Sequence, residues 1–142
     1  MRTGRILSTT QVAASGLSAE RQRMEVVANN IANAHTTRTP DGGPFRRRNV
    51  VFAAVMADGA SADGLQGVEV VGVQTDNSEL PRIHDPGHPD ADDEGMVTMP
   101  NVSIPNEMVD MMTASRAYEA NLRVLTTFRE MAQQTLSLLR AN

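Results

Sequence analysis

Cysteine is missing from all 142 residues, so neither disulfides nor thiol chemistry contribute, although this fixes no compartment. Tryptophan is missing too, and one tyrosine with three phenylalanines brings the aromatic share to 3%. That scarcity speaks against a large packed core, because aromatics bury the most area per residue. The apolar share of 40% falls on Ala, Val, Met and Leu, which suit helix seams and small sheets. No run approaches the roughly eighteen apolar residues of a membrane-spanning helix. Met1 to Thr10 lacks the apolar stretch of a secretory signal, so export would have to use another route. The net charge of -4 argues against nucleic acid, where binding rests on neutralising phosphates. The length suits one domain, or a smaller domain carrying extended arms.

What the chain does have is a seam at each end. Alternating steps of four and three pick out Ile104, Met108, Met111, Ser115, Tyr118, Leu122, Leu125, Arg129, Ala132, Leu136 and Leu139, and only Ser115 and Arg129 break the apolar line. A 3.5-residue repeat keeps one stripe on one flank of a long helix, the pattern of a coiled-coil seam. The helix is expected from Pro105 to Arg140, with Pro105 in its first turn and Glu107 and Asp110 complementing the helix dipole. Near the other end the same spacing gives Ile6, Thr10, Ala13, Leu17, Glu20, Met24, Val27, Ile31 and Ala34. It predicts a helix from about Thr9 to Asn33, weakened at Gly16 by up to ~1 kcal/mol, with Ser15 or Ser18 able to cap a shorter version. This second seam is poorer in large residues and marginal when alone.

Between the helices the composition changes. Pro40-Asp41-Gly42-Gly43 is a turn, since proline presets φ and glycine accepts positive φ. Arg46 to Met56 reads as a strand and Asp58 to Gly64 as a flexible loop. Val68 to Val73 reads as a second strand, pairing antiparallel with the first. Leu80 to Gly95, dense in proline and acid, is expected to be extended and turning, and Met96 to Met99 to form a short strand. The fold class is therefore mainly α with a small β segment. Its long terminal helices (1–34 plus 103–142) form a coiled-coil-like pair around a strand-rich insertion (35–102).

Candidate chemistry is sparse. His84 and His88 stand among Asp85, Asp90, Asp92, Asp93 and Glu94, but Pro86, Gly87 and Pro89 forbid the helix on which His-x3-His binds zinc well, and the acids do not follow a calcium-loop pattern. A solvated turn is the reading preferred, with no metal and no cofactor expected. His35 is expected to bond the last carbonyls of the first helix. Arg46-Arg47-Arg48 reads as a solvated or subunit-facing strand end, charge-matched to the Asp85 to Glu94 loop of another copy. Asn29, Asn30 and Asn33 within one turn suggest amides bonded to backbone or to a neighbouring chain. No Ser, His and Asp arrangement, phosphate-binding glycine loop or paired-cysteine motif argues for an enzyme.

The segment from Ser15 to Ala34, with Asn29-Asn30-Ile31-Ala32-Asn33, resembles the N-terminal signature of the bacterial flagellar axial proteins of rod and hook. Asn106 to Met112, followed by Ala114-Ser115-Arg116-Ala117-Tyr118-Glu119-Ala120-Asn121, is similar to their C-terminal signature. Asp85 to Asp92 and Gly95, leading into Met99-Pro100-Asn101-Val102, are similar to the proximal rod members of that group. His35 and Met96 depart from the family's usual residues. The resemblance implies a rod subunit in the periplasm, exported by the flagellar type III apparatus, with termini disordered before assembly. It also implies that its helices pack against copies of itself and other rod subunits. The residues expected to carry those contacts are Leu17, Met24, Val27, Asn29, Asn30, Ile31, Asn33, Met108, Met111, Tyr118, Asn121, Leu122, Leu125 and Leu136. Two alternatives compete: a soluble helical-hairpin adaptor or export chaperone, and a metal-dependent hydrolase using His84 and His88.

Overall fold

Two helices bracket the chain, α1 from Thr3–Ala32 and α2 from Ile104–Arg140. At about 1.5 Å per residue they run roughly 45 and 55 Å. The computed structural model describes residues 3–56 and 65–140, with side chains over 10–56 and 67–138; the loop expected at Asp58 to Gly64 lies outside them. The Ser103 carbonyl accepts the Glu107 N–H at 3.0 Å, the first bond of α2, so Pro105 sits in the first turn where its missing donor costs nothing.

Helix α1 begins earlier than expected and passes through Gly16 and Ser18 without a break. The reason is α2. A Cβ on Gly16 would stand 2.8 Å from the Asn121 side-chain nitrogen, so this glycine marks a close approach of the two helices. Packing there offsets its propensity cost of ~1 kcal/mol. Ser15 does not cap. Its hydroxyl donates to the Val12 carbonyl at 2.8 Å and accepts the Val68 N–H at 3.1 Å, tying α1 to the sheet. Gly67 makes that approach possible, with φ at 147° and a site where a Cβ would lie 2.4 Å from the Ser15 oxygen.

Between the helices, β1 (Arg48–Met56) pairs antiparallel with β2 (Leu65–Thr75), Val50 opposite Val73 and Phe52 opposite Val70, with irregularities after Val51 and Val55. A smaller pair joins β3 (Arg82–His84) to β4 (Met96–Thr98), Ile83 opposite Val97. The sequence does not announce β3: prolines flank it, yet three residues suffice to pair with β4. The fold is thus mainly helical with a small antiparallel part in the middle. Helix α1 packs against both α2 and the β1–β2 hairpin.

The buried apolar residues are mostly small: Ala13, Ala19, Ala34 and Ala114 alongside Val27, Phe45 and Val97. Small residues set the phase of the helix pair. The less exposed stripe of α2 is Glu107, Met111, Ala114, Tyr118, Asn121, Leu125 and Phe128. It keeps Met111, Tyr118 and Leu125 of the expected seam but leaves Met108, Leu122 and Arg129 exposed. Gly16 and Ala114 let the backbones close in along this flank, with Met111, Tyr118 and Leu125 half-buried beside them.

Candidate functional site

At the base of α2 the chain buries a polar knot. Asn30 and Glu107 are both 0% exposed. Asparagine is a poor helix former, and Asn30 uses its amide elsewhere. Its carbonyl accepts the Arg48 N–H at 2.9 Å, and its NH2 donates to the Arg48 carbonyl at 2.8 Å and to Glu107 Oε2 at 2.9 Å. One side chain thus stands in for a neighbouring strand at the start of β1. Arg47 closes the knot, its Nε 2.5 Å from Glu107 Oε1 and its Nη2 3.2 Å from Asp110 Oδ2. It also donates to Asn49. Its backbone N–H donates to Asn101 Oδ1 at 2.8 Å, and Asn101 donates in turn to the Asp76 carbonyl and the Ser78 hydroxyl. Arg23 reaches Asp110 from α1 at 3.5 Å.

Two expectations change. Arg47 is not a solvated or subunit-facing strand end: its guanidinium turns inward onto two carboxylates. Glu107 and Asp110 lie at the helix start, where the dipole favours them, but their partners come from α1 and from Arg47, just before β1. Removing one member of such a buried pair costs about 3–5 kcal/mol, since the survivor is left charged and desolvated. The knot therefore locks helix pair and hairpin together. The other members of the basic stretch differ: Arg46 donates to the Ser78 carbonyl at 3.2 Å, and Arg48 lies over the Phe45 ring.

The other sequence-selected residues divide by face. Val27 is buried; Leu17, Met24, Ile31, Asn33, Met111, Tyr118, Asn121 and Leu125 are half-buried; Asn29, Met108, Leu122 and Leu136 are exposed. Asn33 caps α1, donating to the Asn29 carbonyl at 2.9 Å and accepting the Thr36 hydroxyl at 3.2 Å. His35, expected to do this, is exposed and makes no hydrogen bond among the described residues. Asparagine already holds the carbonyl it would have taken.

Large apolar residues are exposed along α2: Met108, Val109, Met112, Leu122, Val124, Met131, Leu136 and Leu138, the last 70% exposed. Every described side chain from Arg129 to Leu138 is exposed. A helix built to shelter its own apolar residues would put its leucines where Glu107, Ala114 and Asn121 stand.

The acidic turn is ordered by its own acids. Asp92 accepts N–H groups from Met96 at 2.8 Å and Glu94 at 3.0 Å and pairs with Arg82. The Met96 N–H foremost, with the Glu94 N–H and Arg82, holds the Asp92 carboxyl below its usual value. The Ser78 N–H and hydroxyl, with Arg47 and Arg46, do the same for Asp76. Asp90 takes the Thr37 hydroxyl at 2.8 Å and lies 3.8 Å from Arg38. His88 accepts the Asp90 N–H at 3.1 Å and His84 is exposed. Among the described residues, no group of three or more His, Cys, Asp or Glu is placed to hold a metal ion, and no helix is long and apolar enough to cross a membrane.

Comparison with known proteins bears on both helices. Residues 11–38 match the flagella basal body rod protein family and residues 93–138 the C-terminal family of the flagellar basal body rod FlgEFG proteins. The flagellar basal-body rod protein FlgC of Borreliella burgdorferi is 42% identical, the match covering 94% of this chain and 97% of that one. FlgC of Escherichia coli O6:H1 is 41% identical over 94% and 97%, and FlgC of Agrobacterium fabrum 40% identical over 95% and 96%.

Proposed function

The chain belongs to the flagellar basal-body rod proteins, and on that premise we propose that it is a structural subunit of the proximal rod, folding fully only against its neighbours. The observation that carries this is the apolar surface α2 leaves open: its fully buried positions are Glu107 and Ala114, while eight large apolar side chains from Met108 to Leu138 are exposed. Burying a large apolar side chain is worth about 1.5–3 kcal/mol. Eight half-exposed ones on α2 hold on the order of 10 kcal/mol that only another chain can release, set against the entropy of association.

The partners are copies of the chain and other rod subunits, and the place is the rod within the periplasm. The helix pair, 1–34 with 103–142, forms the inner layer and 35–102 the outer one. Subunits meet head to tail, which generates an open helical tube rather than a closed ring. A chain that reaches this site through the flagellar export apparatus travels unfolded, and helices that complete their packing in the rod suit that passage. The role is mechanical, and no catalytic step is assigned.

The test is Leu122→Asp, at an exposed position where a single subunit has no use for leucine. We expect the isolated variant to fold like the parent but to be absent from purified basal bodies. Normal incorporation would contradict the proposal.

A further inference from the structure

A cavity of about 360 Å³ opens where the end of α1 meets the turn before β1, walled by Pro40, Pro44 and Phe45 and lined by Asn29, Arg46 and Arg48. The Arg48 guanidinium lies 5.6 Å from the centre of the Phe45 ring, and Phe45 is itself buried, so the cation rests on a fixed platform. Arg46 is bound through the Ser78 carbonyl. The Arg48 guanidinium and the Asn29 amide have no hydrogen-bond or ion-pair partner among the described residues. Asp41 also lines the cavity, leaving two arginines against one aspartate.

The acidic turn presents the complementary groups. Asp92 is engaged by two backbone N–H groups and Arg82, and Asp90 by Thr37 and Arg38. Asp93 and Glu94 are exposed, have no side-chain partner among the described residues, and do not line the cavity of their own chain. Because the turn is already held by Asp92, little conformational entropy remains to be lost when it docks.

We infer that this cavity receives the Asp93–Glu94 turn of a second copy of the chain, its carboxylates meeting the Arg48 guanidinium and the Asn29 amide. Guanidinium and carboxylate pair through two directed hydrogen bonds, giving the contact register as well as attraction. The two surfaces differ, so the contact is heterologous and repeats from copy to copy. The inference rests on the reading of the chain as a rod subunit, and it adds which part of one copy meets which part of the next.

The absence of cysteine makes the test clean. Thr75→Cys, at the cavity, and Asp93→Cys, on the turn, are made in separate chains, co-expressed, and basal bodies are oxidised and isolated. A disulfide-linked dimer of this chain from the mixture, absent with either variant alone, is the expected result. Basal bodies holding both chains with no dimer, or with the turn cysteine linked to a different rod protein, would overturn the inference while leaving the rod reading intact. Absence of the parent chain from basal bodies would overturn both. A second arm reverses charge: Arg48→Glu should lower incorporation at least about tenfold, and adding Glu94→Arg should restore it. Wild-type incorporation of Arg48→Glu, checked for folding by circular dichroism, counts against the contact.

Discussion

The base and the tip of α2 lie on one continuous helix yet are stabilised in different ways. At the base, Glu107 and Ala114 are fully buried, and Glu107 and Asp110 pair with Arg47, just before β1, and with Arg23 of α1. At the tip, Met131, Leu136 and Leu138 are exposed. The base is finished within one chain; the tip leaves its apolar side chains exposed. A subunit that assembles with other rod components has a use for both. The knot fixes the orientation of the middle segment, and on the reading proposed above the tip gains its stabilisation only on assembly.

Substitutions at the two ends should therefore separate stability from assembly. The largest loss of stability in the isolated chain is expected for Glu107→Ala, about 3–5 kcal/mol by denaturant unfolding, because Arg47 and Asn30 lose a buried partner. Leu136→Ala should change the same measurement by no more than about 0.5 kcal/mol while lowering incorporation into basal bodies. If both positions cost the same in the isolated chain, the distinction collapses. Asn30→Ala and Arg47→Ala come next. Since both act on Glu107, their effects should not add, and a double-mutant cycle should return a coupling of about 0.5–3 kcal/mol. On sequence grounds Asn30 and Asn33 would outrank Arg47 in assembly; the shared carboxylate predicts instead that Asn30 and Arg47 fall together.

Gly16→Val sharpens the point about small residues. A branched side chain facing Asn121 must wedge the helices apart, at a cost of about 1–3 kcal/mol. The smallest effect belongs to pH. Asp76 and Asp92 titrate below the usual carboxylate range in the folded chain, so folding favours their charged forms. The stability they contribute is present above the unfolded carboxylate pKa and is lost as pH falls through the lower folded values. Carboxyl chemical shifts followed from pH 5 downward should show both titrating late, and a normal midpoint for Asp92 would argue against its capping of the turn.

Much of this was legible in the sequence. Seam spacing marked both helices, Pro40 to Gly43 marked the turn, valine runs marked the hairpin, and the paired terminal signatures marked the family. The phase of the seam was not legible, because a 3.5-residue repeat cannot tell Ala114 from Ser115 as the contact when the deciding feature is Gly16 on the other helix. Nor was the knot, since Arg47 and Glu107 stand 60 residues apart and each has a sufficient local explanation as a strand-end charge or a dipole partner. Three asparagines in one turn were the available signal. Of these, Asn30 turned inward and Asn33 capped its helix, leaving Asn29 exposed.

Amide hydrogen exchange compares the two ends of α2 most directly. In the isolated chain, amides around Ala114 should exchange at least about 100-fold more slowly than those around Leu136, and in isolated rods the difference should largely disappear as the tip becomes protected. A tip as slow as the base in the solitary chain would contradict the account.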